Sequence, residues 1–179
     1  MTKRHKVFVS YHHAIDQQYR NDFETLLTAT NDVMVSHSVN IGDIDPQLKT
    51  ETVRQKIRDE YLRDSTVTVV LIGTQTWQRK HVDWEIASSV RHTDLNPRSG
   101  LLGILLPTYP TRKTFIPHTI PPRLWDNVEK EYAEVISWST DSPVLQDAIH
   151  RAFKRRSTHT PTSSRTLFTN NRTGTQWTG

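Results

Sequence analysis

The chain has no cysteine, which rules out a disulfide framework, a thiolate nucleophile and any zinc site built on thiolates. Glycine is scarce and scattered, six in 179 residues. That leaves no Gly-rich dinucleotide turn and no P-loop. No apolar run approaches the roughly 20 residues of a membrane span, and the apolar stretch after the basic residues 1–6 is too short for a signal peptide. The expectation is a soluble, cytoplasmic protein with no membrane partner. Neither sign of charge dominates, with 23 bases against 19 acids, and no basic stripe marks a nucleic-acid binder, so no nucleic acid is expected. The clearest basic cluster, Lys154-Arg155-Arg156, reads as cations complementing the end of a helix dipole. At 20.8 kDa the chain can bury a core without covalent staples.

What is present is an alternation of short apolar strands and amphipathic helices. Residues 6–10 (KVFVS) read as a first strand, ending in the polar loop Ser10-Tyr11-His12-His13. A helix follows from about Asp16, with Tyr19, Phe23, Leu26 and Leu27 at helical spacing. Residues 33–35 suit a second strand, and a polar segment, 37–45, comes after it. Asp45-Pro46 carries the cap and first-turn chemistry of a helix start, with Leu48, Val53, Ile57 and Tyr61 as the inner face.

Residues 66–72 (TVTVVLI) are β-branched and nearly all apolar, as a central parallel strand covered on both faces should be. Gly73 ends that strand, a helix is expected over 78–91, and 101–106 form another buried strand. A proline-rich connection, 107–125, leads to a last strand at 135–138. Ser142-Pro143 opens a final helix with Leu145, Ala148, Ile149, Ala152 and Phe153 facing in. Strands alternating with helices imply right-handed crossovers and a mostly parallel, doubly wound sheet. The strand count suits a flavodoxin-like α/β sandwich. Residues 1–156 read as that domain. Residues 157–179, about half Ser or Thr, read by composition as a disordered tail, with Phe168 or Trp177 able to dock it on this or a neighbouring subunit.

In an open α/β sheet, ligands bind beyond the carboxyl ends of the strands. That directs attention to Ser10-Tyr11-His12-His13, to the 37–45 segment, and to Gly73-Thr74-Gln75-Thr76-Trp77 with the helix after it. A receiver-type phosphoacceptor would need clustered acids after the first strand, where this chain has Ser10-Tyr11. No Gly-x-Ser-x-Gly elbow is present, and His12-His13, His81 and His92 do not share a chelating face, so no metal is expected. Projected at about 100° per residue, the 78–91 helix has Val82, Ile86, Ser89 and Val90 on its inner stripe. Glu85 falls on the flank, beside His81, Ser88 and His92, at a boundary where a cleft could pass. By spacing alone it reads first as an ordinary amphipathic-helix glutamate at the solvent edge.

Four stretches in order carry a family resemblance: VFVSYHH (7–13), LKTETVRQKIRDEYLRDSTV (48–67), VTVVLIGTQTWQRKHVDWEI (67–86) and IPPRLWDNVEKEYAEVISW (120–138). Together they resemble bacterial TIR-like proteins, in particular the TIR subunit of Thoeris anti-phage systems. The resemblance implies that Glu85 is the catalytic glutamate of an NAD-cleaving enzyme. In the family this residue commonly follows a tryptophan by four positions; here that position is His81. The resemblance also implies substrate-binding roles for Ser10, Tyr11, His12, Trp77, His81 and Arg123, with aromatic rings stacking on a base and Arg123 meeting the pyrophosphate. NAD would be the substrate, with no bound cofactor.

The implied product is a cyclic or conjugated ADP-ribose signal that acts on a separate effector protein. Assembly with other TIR subunits is the implied trigger, and residues 37–45 are a plausible assembly element. Two alternatives stay open: a non-catalytic TIR protein–protein interaction module, and a nucleoside-processing transferase on a similar sheet.

Overall fold

The computed structural model describes residues 5–30, 33–36, 47–110 and 116–179. The 37–45 segment and the Asp45-Pro46 helix start lie outside the described residues. Five strands, β1 (His5–Ser10), β2 (Val33–Ser36), β3 (Val67–Ile72), β4 (Gly100–Leu105) and β5 (Ala133–Ser137), form one sheet. Its order is β2-β1-β3-β4-β5, and every pairing is parallel. This is the doubly wound, flavodoxin-like order expected from the sequence. The helices are α1 (Gln17–Thr28), α2 (Thr50–Lys56), α3 (Lys80–Ser89), α4 (Pro122–Glu129) and α5 (Ser142–Thr158). None of them is long and apolar enough to cross a membrane.

Alternation along the strands divides the core between two faces. Val7, Val9, Val67, Val69, Leu71, Leu102 and Ile104 meet Phe23 and Leu27 of α1 and Leu145, Ala148, Ile149 and Ala152 of α5. Val70, Ile72 and Leu101 meet Val82 and Ile86 of α3 and Leu124 of α4. Phe8 packs on Val53, Ile57 and Leu62, closing the corner between α2 and β3. All six residues of β3 are buried, as a central parallel strand requires. At Gly100 there is no room for a side chain, because an added Cβ would run into the Ala152 carbonyl of α5.

Two elements differ from the expectation. The helix expected over 78–91 is shorter and preceded by a separate 3₁₀ turn, Thr76–Gln78, because Arg79 takes an extended conformation (φ −87°, ψ 120°) between them. The 107–125 connection ends in α4, whose Pro122 occupies the first helical turn. Proline there lacks only an N–H that a helix start leaves unpaired anyway.

The tail is the larger correction. Its compositional boundary at 157 falls inside the last turn of α5, and beyond Thr158 the chain lies extended over α3 and α4. Burial of Phe168 and Trp177 anchors it on this same chain. Asn127 pairs with the Thr162 backbone through both its amide atoms, at 2.9 Å each. The Trp177 indole N–H donates to the Ile120 carbonyl at 2.7 Å. Trp84 donates its indole N–H to the Phe168 carbonyl at 2.8 Å. Asn171 Oδ1 accepts the Lys80 N–H at the start of α3, giving that helix an N-terminal partner from 91 residues away.

At the centre lies a buried ion pair. Arg123 meets Asp83 through Nε at 2.9 Å and Nη2 at 3.3 Å, and their side chains are 1% and 2% exposed. The guanidinium also bonds to the tail, from Nη1 to Ser163 Oγ at 3.0 Å and from Nη2 to the Arg165 and Thr166 carbonyls at 3.0 and 3.4 Å. Asp83 Oδ2 also accepts the Phe168 N–H at 3.0 Å. A low-complexity sequence is therefore ordered by backbone hydrogen bonds to buried side chains, which composition does not report.

Breaking one side of a buried pair leaves the other charge unpaired, at about 3–5 kcal/mol. Asp83→Ala should lower the thermal unfolding midpoint accordingly and expose the Arg165 peptide bond to trypsin. A variant that melts early while Arg165 stays protected would show that the pair does not hold the tail.

Candidate functional site

The site stands at the carboxyl end of β1, next to β3, where the sheet order reverses direction. Three polar residues of α3 at four-residue intervals, His81, Glu85 and Ser89, share one face of the helix and fasten it to the sheet. The Ser89 hydroxyl lies 2.7 Å from Thr68 Oγ1 on β3 and 2.7 Å from the Glu85 carbonyl. Glu85 Oε2 accepts a hydrogen bond from Ser10 Oγ. The His81 ring Nε2 lies 3.0 Å from the Tyr11 carbonyl. A carbonyl only accepts, so Nε2 carries the hydrogen in this tautomer.

Glu85 is 0% exposed, not at the solvent boundary that the helical projection gives. The projection treats α3 as one-sided, whereas α2, α4 and the tail cover its other faces. The second carboxyl oxygen, Oε1, is buried without a hydrogen-bond partner among the described residues. His12 Nδ1, His13 Nε2, Asp16 Oδ2 and Arg79 Nε share that condition. Buried polar groups in folded proteins are nearly always paired. Five unpaired ones in the loop after β1 and at the start and middle of α3 make this cluster the candidate site.

The electrostatics of this cluster are nearly neutral. Burial pushes the Glu85 carboxyl up to about 8, with the Ser10 hydrogen bond only partly opposing it. Burial also raises Asp16 to about 6. His81 is pushed down to about 4 by burial, and His12 and His13 are lowered by burial and then by the Arg79 guanidinium. Near pH 7 both Glu85 and the three imidazoles are uncharged. The rings form a chain, Tyr11 to His13 at 4.5 Å and His13 to His81 at 4.8 Å between centroids. Gly73 closes the far side, where an added Cβ would meet the Asp16 carboxylate at 2.6 Å.

Of the residues singled out from the sequence, Ser10, Tyr11, His12 and His81 gather with Glu85. Arg123 does not join them. Its side chain is buried, paired with Asp83 and bonded through both terminal nitrogens to the tail, so it is not presented for the pyrophosphate contact expected of it. Trp77 is 2% exposed, in the 3₁₀ turn before α3. It borders a shallow cavity of about 410 Å³ with Arg172, Gln176 and Trp177 of the tail. The Tyr11 hydroxyl is turned to Gln17, at 2.6 Å. His13 joins the cluster from the same post-β1 loop that the sequence pointed to, and Asp16 and Arg79 belong to it without having been singled out by sequence. The only signal for Asp16 was its place at the start of α1.

A family model for the TIR-like domain of the Thoeris protein ThsB matches residues 8–111. The chain belongs to this family. No curated protein sequence matches it at a significant level. The ThsB TIR-like match runs from β1 through β4 and so contains Ser10, the post-β1 histidines, α3 and Glu85. It leaves out β5 and α5, and also α4 and the tail, which together with α2 cover the outer faces of α3.

The raised carboxyl of Glu85 has a consequence for stability. Below pH 4.5 it is neutral in both folded and unfolded chains. Between 4.5 and about 8 the unfolded chain releases the proton and the folded chain keeps it, so stability falls as pH rises. Glu85→Gln keeps a neutral side chain at every pH. The variant should match wild type near pH 4.5 and exceed it near pH 8, by on the order of 4 kcal/mol. Thermal melts across that range check this; a difference independent of pH would contradict the burial of an ionisable carboxyl.

Proposed function

We propose that this anti-phage TIR protein is an NAD-cleaving enzyme in which Glu85 stabilises the ribosyl transition state. The observation that carries the reading is the Glu85 carboxyl itself: at the ligand-binding edge of the sheet, held on one oxygen by Ser10, with the other oxygen unpaired. Breaking the bond between ribose C1′ and nicotinamide passes through an oxocarbenium-like state. Glycosidases acting on oxygen leaving groups need a second carboxylic acid to protonate that oxygen. Nicotinamide is cationic while attached and leaves neutral, so no general acid is needed. One carboxylate beside the ribose can accept its hydroxyl hydrogens and offset the developing positive charge. A site with one glutamate at its centre and neutral histidines around it suits that task. Attack on C1′ by water, by a hydroxyl of the second ribose or by another acceptor molecule then gives free, cyclic or conjugated ADP-ribose respectively, for a separate effector.

The proposed chemistry needs Glu85 ionised and reachable, whereas the isolated chain holds it buried and neutral. Activation on this reading is an opening of the site, driven by self-association or an infection signal. Solvent or a cationic nicotinamide ring then brings the carboxyl back down towards its ordinary range. Complete burial also favours the competing reading of a non-catalytic interaction module, in which the carboxyl is only a structural hydrogen-bond acceptor.

Nicotinamide release separates the two. With NAD and extract from infected cells, wild type should release nicotinamide, and Glu85→Gln should do so at least about 10²-fold more slowly. No release under any activating condition would leave the interaction module standing. In the opened, active state the carboxyl is back near its ordinary range, so kcat/KM should be flat from pH 6 to 9 as far as Glu85 is concerned. A rise with a midpoint near 8 would show that the carboxyl stays buried while it acts, against activation by opening.

A further inference from the structure

The remaining concentration of unpaired buried donors lies at the opposite pole, on Arg58. This residue sits in the π-helical turn Ile57–Tyr61 between α2 and β3 and is 2% exposed. Its Nη2 donates to the Pro97 carbonyl, while Nε and Nη1 have no hydrogen-bond partner among the described residues. A buried guanidinium with only one hydrogen bond is costly, since the cation keeps its charge and loses its water.

Two cavities border Arg58. The larger, about 290 Å³, sets Arg58 and Arg91 against Asp59 and Asp94, and its charges balance. The smaller, about 200 Å³, lies at the amino edge of β3 and β4 and is bordered by Arg58, Arg156, Thr66, Asn96 and a single acid, Asp64. Asp64 is mostly exposed and has Lys6 at 3.9 Å. Arg156 is held in place by its stacking on the Phe153 ring at 4.1 Å and by the Arg98 Nε–H donated to its carbonyl at 3.1 Å. Neighbouring Arg155 instead pairs with Glu134. So Arg156, one of the basic cluster at the end of α5, does more than complement a helix dipole: it faces a buried arginine across a cavity with a cationic excess.

We propose that the cavity between Arg58 and Arg156 is an anion site that takes a phosphoryl group. Guanidinium donors matched to phosphate oxygens make strong charge-assisted hydrogen bonds. The cavity has room for one or two phosphoryl groups and not for a nucleoside as well. Its ligand is therefore inorganic phosphate or the phosphate end of a small molecule whose remainder stays outside. The site is at the other end of the sheet from Glu85 and does not depend on that residue's role.

The test is calorimetric titration of the full chain with inorganic phosphate, pyrophosphate and AMP, against sodium chloride at matched ionic strength. Saturable binding of at least one phosphoryl ligand is expected, weakened about tenfold or more in Arg156→Gln. Arg156 is partly exposed, so that variant should fold even if Arg58→Lys does not. AMP binding more tightly than free phosphate would assign the site to phosphorylated metabolites; equal or weaker binding would assign it to the free ion. Heats no greater than those of chloride, or unchanged affinity in Arg156→Gln with fold intact by circular dichroism, would overturn the proposal.

Discussion

The hydrogen bond between Ser10 and Glu85 joins two parts of the chain 75 residues apart, and much of the surrounding arrangement follows from it. Ser10 ends β1, where it lies in register with Val70 of β3. Glu85 lies mid-way along α3. For the two to meet, α3 must lie close over the junction of β1 and β3, and the polar stripe His81–Glu85–Ser89 replaces apolar packing along that line. His81 holds the start of the helix to the Tyr11 carbonyl and Ser89 holds its end to Thr68. Hydrogen bonds are directional where apolar contacts are not, so this stripe fixes the rotation of α3 as well as its distance from the sheet.

The tail extends the same constraint outward. Asp83 and Trp84, on the other faces of α3, hold the Phe168 backbone, and Asn171 supplies the partner for the first helical N–H. Arg123 then links Asp83 and the tail to α4. Glu85 is thus clamped from the sheet side by its own stripe and from the solvent side by residues beyond position 159. A chain ending at α5 would have the same sheet and a much more exposed α3.

Most of the fold was legible because the parallel sheet is written in apolar runs. Residues 66–72 announce β3, and the spacing of Leu145, Ala148, Ile149 and Ala152 announces α5. The part of the site along β1 was legible too, since ligands gather at strand ends. What failed was the exposure of Glu85 and the role of Arg123, for one reason. Both depend on which element covers α3, and the cover is a Ser/Thr-rich tail held in large part through its backbone. Backbone pairing leaves no mark in composition. The α4 helix was hidden by the prolines that also begin it, and Pro122 in the first turn was the signal to read.

A buried, neutral glutamate at the centre of the proposed reaction makes access and charge a single variable. Burial is what holds the carboxyl near 8, so any movement that admits a substrate also removes the cause of its neutrality. The same movement would give Oε1, His12, His13, Asp16 and Arg79 the partners they lack. Opening costs the packing of α3 against its cover, and those new hydrogen bonds offset the cost only when a polar ligand supplies them. On the proposed reading, the closed chain is therefore inactive for a reason internal to its fold. No separate inhibitory element is required, and what assembly or ligand must provide is the free energy to move α3 or its cover away from Glu85.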